Sequence, residues 1–96
     1  MKFRYSRRAI NDLTSINEYL NNRSPRGGAN VMTAIFAAIE FIRRHPDAAE
    51  LTRIQGIRGK TVRKYHFKVF YRVTVEDDLI EIVHIRHTSR RSWEGE

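Results

Sequence analysis

The chain has 96 residues, carries a formal net charge of +7 and contains no cysteine. A chain of this length builds one modest hydrophobic core, so we expect a single domain over residues 1–96. The absence of cysteine excludes disulfides and thiolate metal sites and is typical of a reducing compartment. The basic N-terminus lacks the apolar segment of a secretory signal, and no apolar stretch is long enough to cross a bilayer. We therefore expect a cytoplasmic protein.

Basic residues are concentrated in two parts of the chain. Lysine and arginine total 18 against 11 acidic residues. One basic block runs from Lys2 to Arg8, and a second runs from Arg58 to Arg72 without a single acid. Such a charge distribution favours an acidic partner. The classes it fits are nucleic acid, ribonucleoprotein and acidic proteins.

The first residues predict a short strand and a helix. Lys2–Tyr5 alternates polar and apolar residues as a half-buried strand does. Ser6 offers a side-chain oxygen that can cap a helix. Apolar residues then recur with helical spacing, which predicts a helix over about residues 7–20, and Asn21–Arg23 is predicted as the turn that follows.

A second helix is predicted to begin at Ser24 and Pro25. Serine is a preferred N-cap, and proline at the first helical position loses no hydrogen bond. The apolar residues from Val31 onward again have helical spacing, with Ile35 at the centre of the expected core, and Pro46 ends the pattern. Two amphipathic helices joined by a short connection form a helical hairpin.

The second half of the chain changes to the period of strands. We expect a weak strand at Thr61–Tyr65, a strand at Phe67–Val75, a turn at Glu76–Asp78 and a buried strand at Leu79–Arg86. The fold class is therefore α+β with the order β-α-α-β-β-β. The N-terminal strand and helical hairpin pack on a small antiparallel sheet.

The last predicted strand and the tail are rich in groups that could carry chemistry. His84 and His87 are three residues apart on a strand and point to opposite faces, so we expect no metal site. We also expect no cofactor, because a domain of this size has no large internal cavity for a bulky one. Arginine beside an imidazole could instead bind a phosphodiester and move a proton. Arginine and tryptophan are also typical anchors of protein interfaces. The residues concerned are His84, Arg86, His87, Arg90, Arg91 and Trp93.

Several short segments together resemble the ParE/RelE superfamily of toxins from bacterial type II toxin–antitoxin modules. They are Tyr5-Ser6-Arg7-Arg8-Ala9, Ser24-Pro25, His45-Pro46, Val69-Phe70-Tyr71-Arg72-Val73 and Ile82-Val83-His84-Ile85-Arg86-His87. The resemblance implies a helical hairpin on a small antiparallel sheet. It also implies an antitoxin partner that neutralises the toxin.

The superfamily has two branches, and the N-terminal and His-Pro segments look more like the ParE branch. That branch implies inhibition of DNA gyrase without catalysis and neutralisation by an acidic ParD-type antitoxin. We expect target binding through Arg86, Arg90, Arg91 and Trp93, and antitoxin binding through Met32, Phe36, Arg63 and Lys64. The RelE branch implies a ribosome-dependent mRNA endoribonuclease, for which the candidate catalytic residues are Arg72, Arg86, His87 and Arg90.

Overall fold

The computed structural model describes residues 1–89. In chain order the elements are β1 (Lys2–Tyr5), α1 (Arg7–Arg23), α2 (Pro25–Arg44), β2 (Glu50–Leu51), β3 (Ile57–Val62), a 3₁₀ turn (Arg63–Tyr65), β4 (Phe67–Thr74) and β5 (Leu79–His87). The α+β class is confirmed, and β2 is a short additional strand between the helices and β3.

The strands form one sheet in the order β1-β5-β4-β3-β2. Neighbouring strands are antiparallel except for β1, which pairs with β5 in parallel. The pairing of β4 with β5 shifts between Phe70 and Tyr71, because Phe70 lies opposite His84 while Tyr71 lies opposite Ile82. This irregularity leaves Val83 outside the cross-strand pairing at the point where β1 ends.

The helical hairpin covers one face of the sheet and forms the core with it. α1 packs on β5, and α2 packs on β3 and β4. Ile35 and Ile42 of α2 meet Val69, Tyr71 and Ile82 of the sheet, and all five are fully buried. Burial of one such side chain stabilises the fold by about 1.5–3 kcal/mol, so these contacts hold the two layers together.

The junction between the helices is shorter than the sequence predicts. The predicted turn at Asn21–Arg23 is wrong: these residues form the last turn of α1, which continues to Arg23. Ser24 alone ends one helix and begins the next: its backbone N–H donates to the carbonyl of Leu20, and its side chain accepts from the N–H of Gly27. The predicted start of the second helix is therefore confirmed.

The prediction of a strand at Thr61–Tyr65 is wrong in its position. β3 runs from Ile57 to Val62, and a 3₁₀ turn occupies Arg63–Tyr65. Gly59 contributes no side chain to β3 on the face that Phe70 occupies, so the apolar alternation that marks a strand is interrupted there. His66 ends the turn with a left-handed backbone conformation at φ 60°.

Among the described residues, 1–89, no helix is long and apolar enough to cross a membrane.

Candidate functional site

The face of the sheet opposite the helices has an aromatic centre covered by basic side chains. Phe70 and His84 lie opposite each other on β4 and β5, and their rings stack with centroids 5.7 Å apart and an interplanar angle of 15°. The Lys68 ammonium lies 5.4 Å from the centroid of the Phe70 ring, and the Arg86 guanidinium lies 5.8 Å from it. These distances allow cation–π attraction to one ring.

Asp12 of α1 holds His84 in place. Its Oδ2 atom lies 2.7 Å from Nδ1 of His84 and accepts the backbone N–H of Ile85 at 3.0 Å. His84 is 6% exposed, so this bond fixes an imidazole inside the protein. The same carboxylate ties α1 to the half of β5 that β1 does not reach.

Arg86 combines partial burial with a retained positive charge. Burial lowers the pKa of its guanidinium below the ordinary value, but arginine remains protonated in proteins. Its Nη1 atom donates to the carbonyl of His87 at 2.9 Å. Arg86 therefore places a fixed cation beside Phe70.

The three candidate ribonuclease residues within the described part of the chain, Arg72, Arg86 and His87, do not meet at one point. Arg72 lies opposite Glu81 in the sheet register, whereas Arg86 lies opposite Lys68. Four residues along β4 separate these positions, which corresponds to about 13 Å. His87 lies opposite Phe67, and their rings meet edge to face with centroids 5.0 Å apart. Phe67 belongs to the core, so His87 is on the helix side of the sheet and Arg86 is on the other side.

The remaining predicted site residues are spread over two elements and the tail. On α2, Met32 is partly buried against the core while Phe36 is 46% exposed. Arg63 and Lys64 are exposed in the 3₁₀ turn. The predicted tail positions lie outside the described residues; they are Arg90, Arg91 and Trp93.

Two features were not anticipated from the sequence. The first is the Asp12–His84 pair, which joins residues 72 positions apart. Its only local signal is that Asp12 is in helical phase with the apolar residues Ala9 and Ile16. The second is a groove of about 440 Å³ between α1 and the C-terminal half of β5. The groove could not be found from periodicity, because it depends on how far β1 extends along β5.

Solved structures with this architecture include several from toxin–antitoxin systems. The chromosomal ParDE system from P. aeruginosa matches with a TM-score of 0.74 at 19% identity, covering 93% of this chain and 97% of that chain. The isolated E. coli RelE toxin matches with a TM-score of 0.68 at 13% identity, covering 95% and 87%. The RelBE2 toxin–antitoxin complex from Mycobacterium tuberculosis matches with a TM-score of 0.59 at 21% identity, covering 93% and 92%.

These similarities define the fold as that of the ParE/RelE toxins, as the sequence resemblance implied. The sequence model of the ParE toxin of the type II toxin-antitoxin system, parDE, matches residues 3–92. The chain belongs to this family. No curated protein sequence matches it significantly.

Proposed function

We propose that this protein is a cytoplasmic toxin of the ParE type that stops growth by binding DNA gyrase and holding its cleaved DNA state. An acidic antitoxin of the ParD type would neutralise it. The match to the ParE toxin family over residues 3–92 carries the proposal. The net charge of +7 supports an acidic antitoxin, because charge complementarity accelerates the encounter of the two proteins.

The surroundings of the histidines support a non-enzymatic action. Cleavage of RNA requires one group to take a proton from the 2′-hydroxyl and another to protonate the leaving oxygen. His84 is buried and bonded to Asp12. His87 is on the opposite face of β5 and packs against Phe67. Neither imidazole is placed to exchange a proton with a substrate on the basic face of the sheet.

A RelE-like ribonuclease is the second candidate, and one observation favours it. Asp12 orients His84 as the carboxylate of an acid–base pair would, and the cations of Lys68 and Arg86 lie close to the adjoining Phe70 ring. This activity would require movement that exposes His84. For this activity the candidate catalytic residues remain the four that the sequence analysis identified, namely Arg72, Arg86, His87 and Arg90.

We assign different surfaces to the target and to the antitoxin. Arg86 marks the described part of the target surface, which continues into tail residues outside the described part of the chain, namely Arg90, Arg91 and Trp93. The antitoxin surface comprises Met32, Phe36, Arg63 and Lys64. A large exposed aromatic such as Phe36 is a typical anchor for a partner that orders on binding.

The two surfaces can be separated in cells that express the protein with or without its neighbouring antitoxin. Deletion of residues 90–96 should abolish growth arrest and leave antitoxin binding intact. Phe36→Glu should keep the arrest and lose rescue by the antitoxin, whereas Ala37→Glu adds the same charge at an adjacent exposed position and should keep rescue. If the truncated protein arrests growth as the full chain does, the assignment of the target surface is wrong.

A further inference from the structure

The basic face of the sheet, on the side away from the helices, carries an excess of positive charge. Cross-strand partners share a face of a sheet, so the register assigns these described cations to it: Lys2, Arg4, Lys68, Arg72 and Arg86. Its described acids are Glu50, at the β2 edge, and Glu81, whose carboxylate accepts a 2.8 Å hydrogen bond from Arg4. Such an excess of charge on one surface favours a polyanion.

The fold holds two of these cations in place. Gly59 leaves room for the Lys68 side chain to cross β3, because a Cβ atom at Gly59 would lie 2.6 Å from Cε of Lys68. The Lys68 ammonium and the Arg86 guanidinium both lie over the Phe70 ring. Side chains with a fixed geometry lose less conformational entropy when they bind a ligand. The basic face is therefore prearranged to bind anionic groups.

The arrangement fits phosphate groups rather than bases. Phe70 is fully buried and His84 is 6% exposed, so neither ring offers an open face on which a base could stack. Binding of single strands depends on such stacking, whereas duplex DNA is held largely through its phosphates. Lys68 and Arg72 are separated along β4 by about 13 Å, close to the width of about 12 Å of the DNA major groove. The two cations can thus reach phosphates of both strands of a duplex.

We propose that the basic face of the sheet binds the phosphate backbones of duplex DNA, so that the toxin contacts the cleaved DNA of the gyrase complex as well as gyrase. The identity of this complex rests on the proposed function. Arg86 belongs both to the basic face and to the target surface, so the two surfaces are continuous. A contact made only in the cleaved complex shifts the equilibrium toward that complex.

Fluorescence anisotropy of a labelled duplex of about 20 base pairs, titrated with the full chain at about 50 and 200 mM salt, measures this binding. Phosphate contacts from Lys68, Arg72 and Arg86 predict that the logarithm of the association constant falls with that of the salt concentration with a slope of about −2.7. Arg72→Gln should make the slope shallower by about 0.9 and weaken binding roughly fivefold at the higher salt. Arg26→Gln removes the same charge from an exposed position of α2 and should change the affinity less than about twofold.

Gly59→Ala separates the position of a cation from the net charge. The added methyl group leaves the charge unchanged but displaces the end of the Lys68 side chain. Binding of the duplex should therefore fall about twofold or more. The circular dichroism spectrum should stay that of the natural chain, because the end of a lysine side chain can move without disturbing the sheet.

Three results would overturn the proposal. They are equal weakening by Arg72→Gln and Arg26→Gln, unchanged binding by Gly59→Ala, and tighter binding of an oligo-dT strand or of an RNA duplex than of the DNA duplex. Accumulation of the cleaved gyrase–DNA complex is measured with the same variants. If Arg72→Gln loses duplex binding and the complex accumulates undiminished, the DNA contact is refuted and the proposed function stands. If the natural chain binds the duplex but no cleaved complex forms, the DNA-binding face stands and the proposed target fails.

Discussion

Replacement of Asp12 by alanine tests whether one carboxylate holds α1 to the sheet. The substitution removes the acceptor of two hydrogen bonds, from His84 at 2.7 Å and from the N–H of Ile85 at 3.0 Å. A buried donor left without a partner costs about 1–3 kcal/mol. The two together predict a loss of about 3 kcal/mol, allowing for partial access of water. Domains of this size have a free energy of unfolding of roughly 5–14 kcal/mol, so the loss is large.

Urea unfolding followed by circular dichroism measures this loss. With a slope of about 1.5 kcal/mol per molar urea, the midpoint should fall by about 2 M while the slope stays the same. The melting temperature should fall by about 12–24 °C. Asp12→Asn keeps an oxygen that can accept hydrogen bonds, so its midpoint should lie between those of the alanine variant and the natural chain.

Glu18→Ala is the matched control, because it removes one carboxylate from an exposed position of the same helix. Its effect should stay within about 0.5 kcal/mol. If Asp12→Ala destabilises the protein no more than Glu18→Ala does, the Asp12 bonds do not hold α1 to β5 and the reasoning is refuted.

Three further substitutions test the hydrophobic core, the N-cap of α2 and the loss of stability above pH 10. Ile35→Asp buries an unpaired carboxylate at a fully buried position and should abolish the cooperative thermal transition; a wild-type melting curve would contradict the orientation of α2. Ser24→Ala removes the side-chain acceptor for the N–H of Gly27 and should cost about 1 kcal/mol in urea unfolding, and no change would show that the cap is not needed. Tyr71→Phe removes a 2.7 Å bond to the carbonyl of Pro46 and should cost about 1 kcal/mol at pH 7. Burial raises the pKa of Tyr71 above 10.0, so the folded protein keeps a proton that the unfolded chain releases, and stability should fall as the pH rises above 10. The Tyr71→Phe variant should lose less stability over that alkaline range, and equal losses would contradict this cause.

The helices could be predicted because their signals are local. Periodic apolar residues defined both of them, and the Ser24-Pro25 pair marked the start of α2 correctly. The predicted turn at Asn21–Arg23 was wrong because asparagine tolerates both helix and turn, and here the helix continues to the cap. Local propensity does not distinguish these two outcomes.

The strands were predictable where the sequence shows alternation or a run of β-branched residues. β4 has clear alternation and β5 is rich in β-branched residues, and their predicted positions are close to those found. The predicted position of β3 was wrong because Gly59 contributes no side chain to the alternation of apolar and polar residues. A side chain at this position would meet Lys68: an added Cβ would lie 2.6 Å from its Cε atom. Gly59 thus lets Lys68 lie across β3, which a pattern of hydrophobicity does not reveal.

The candidate site was only partly predictable, because part of it depends on a contact between residues far apart in the chain. The sequence identified His84 and Arg86 as chemically capable residues, and it placed His84 and His87 on opposite faces of their strand. It did not reveal that Asp12 holds His84, because the contact joins a helix near the start of the chain to the last strand. Contacts over such a separation depend on the topology of the whole fold.

The most direct test of the account is to induce the protein in cells and measure two products in the same culture. One is the cleaved gyrase–DNA complex, and the other is mRNA cut within the ribosomal A site. The account predicts that the gyrase complex accumulates, that mRNA remains uncut, and that His87→Ala changes neither result. Codon-dependent mRNA cuts that disappear in His87→Ala, without accumulation of the gyrase complex, would contradict it and establish the ribonuclease instead.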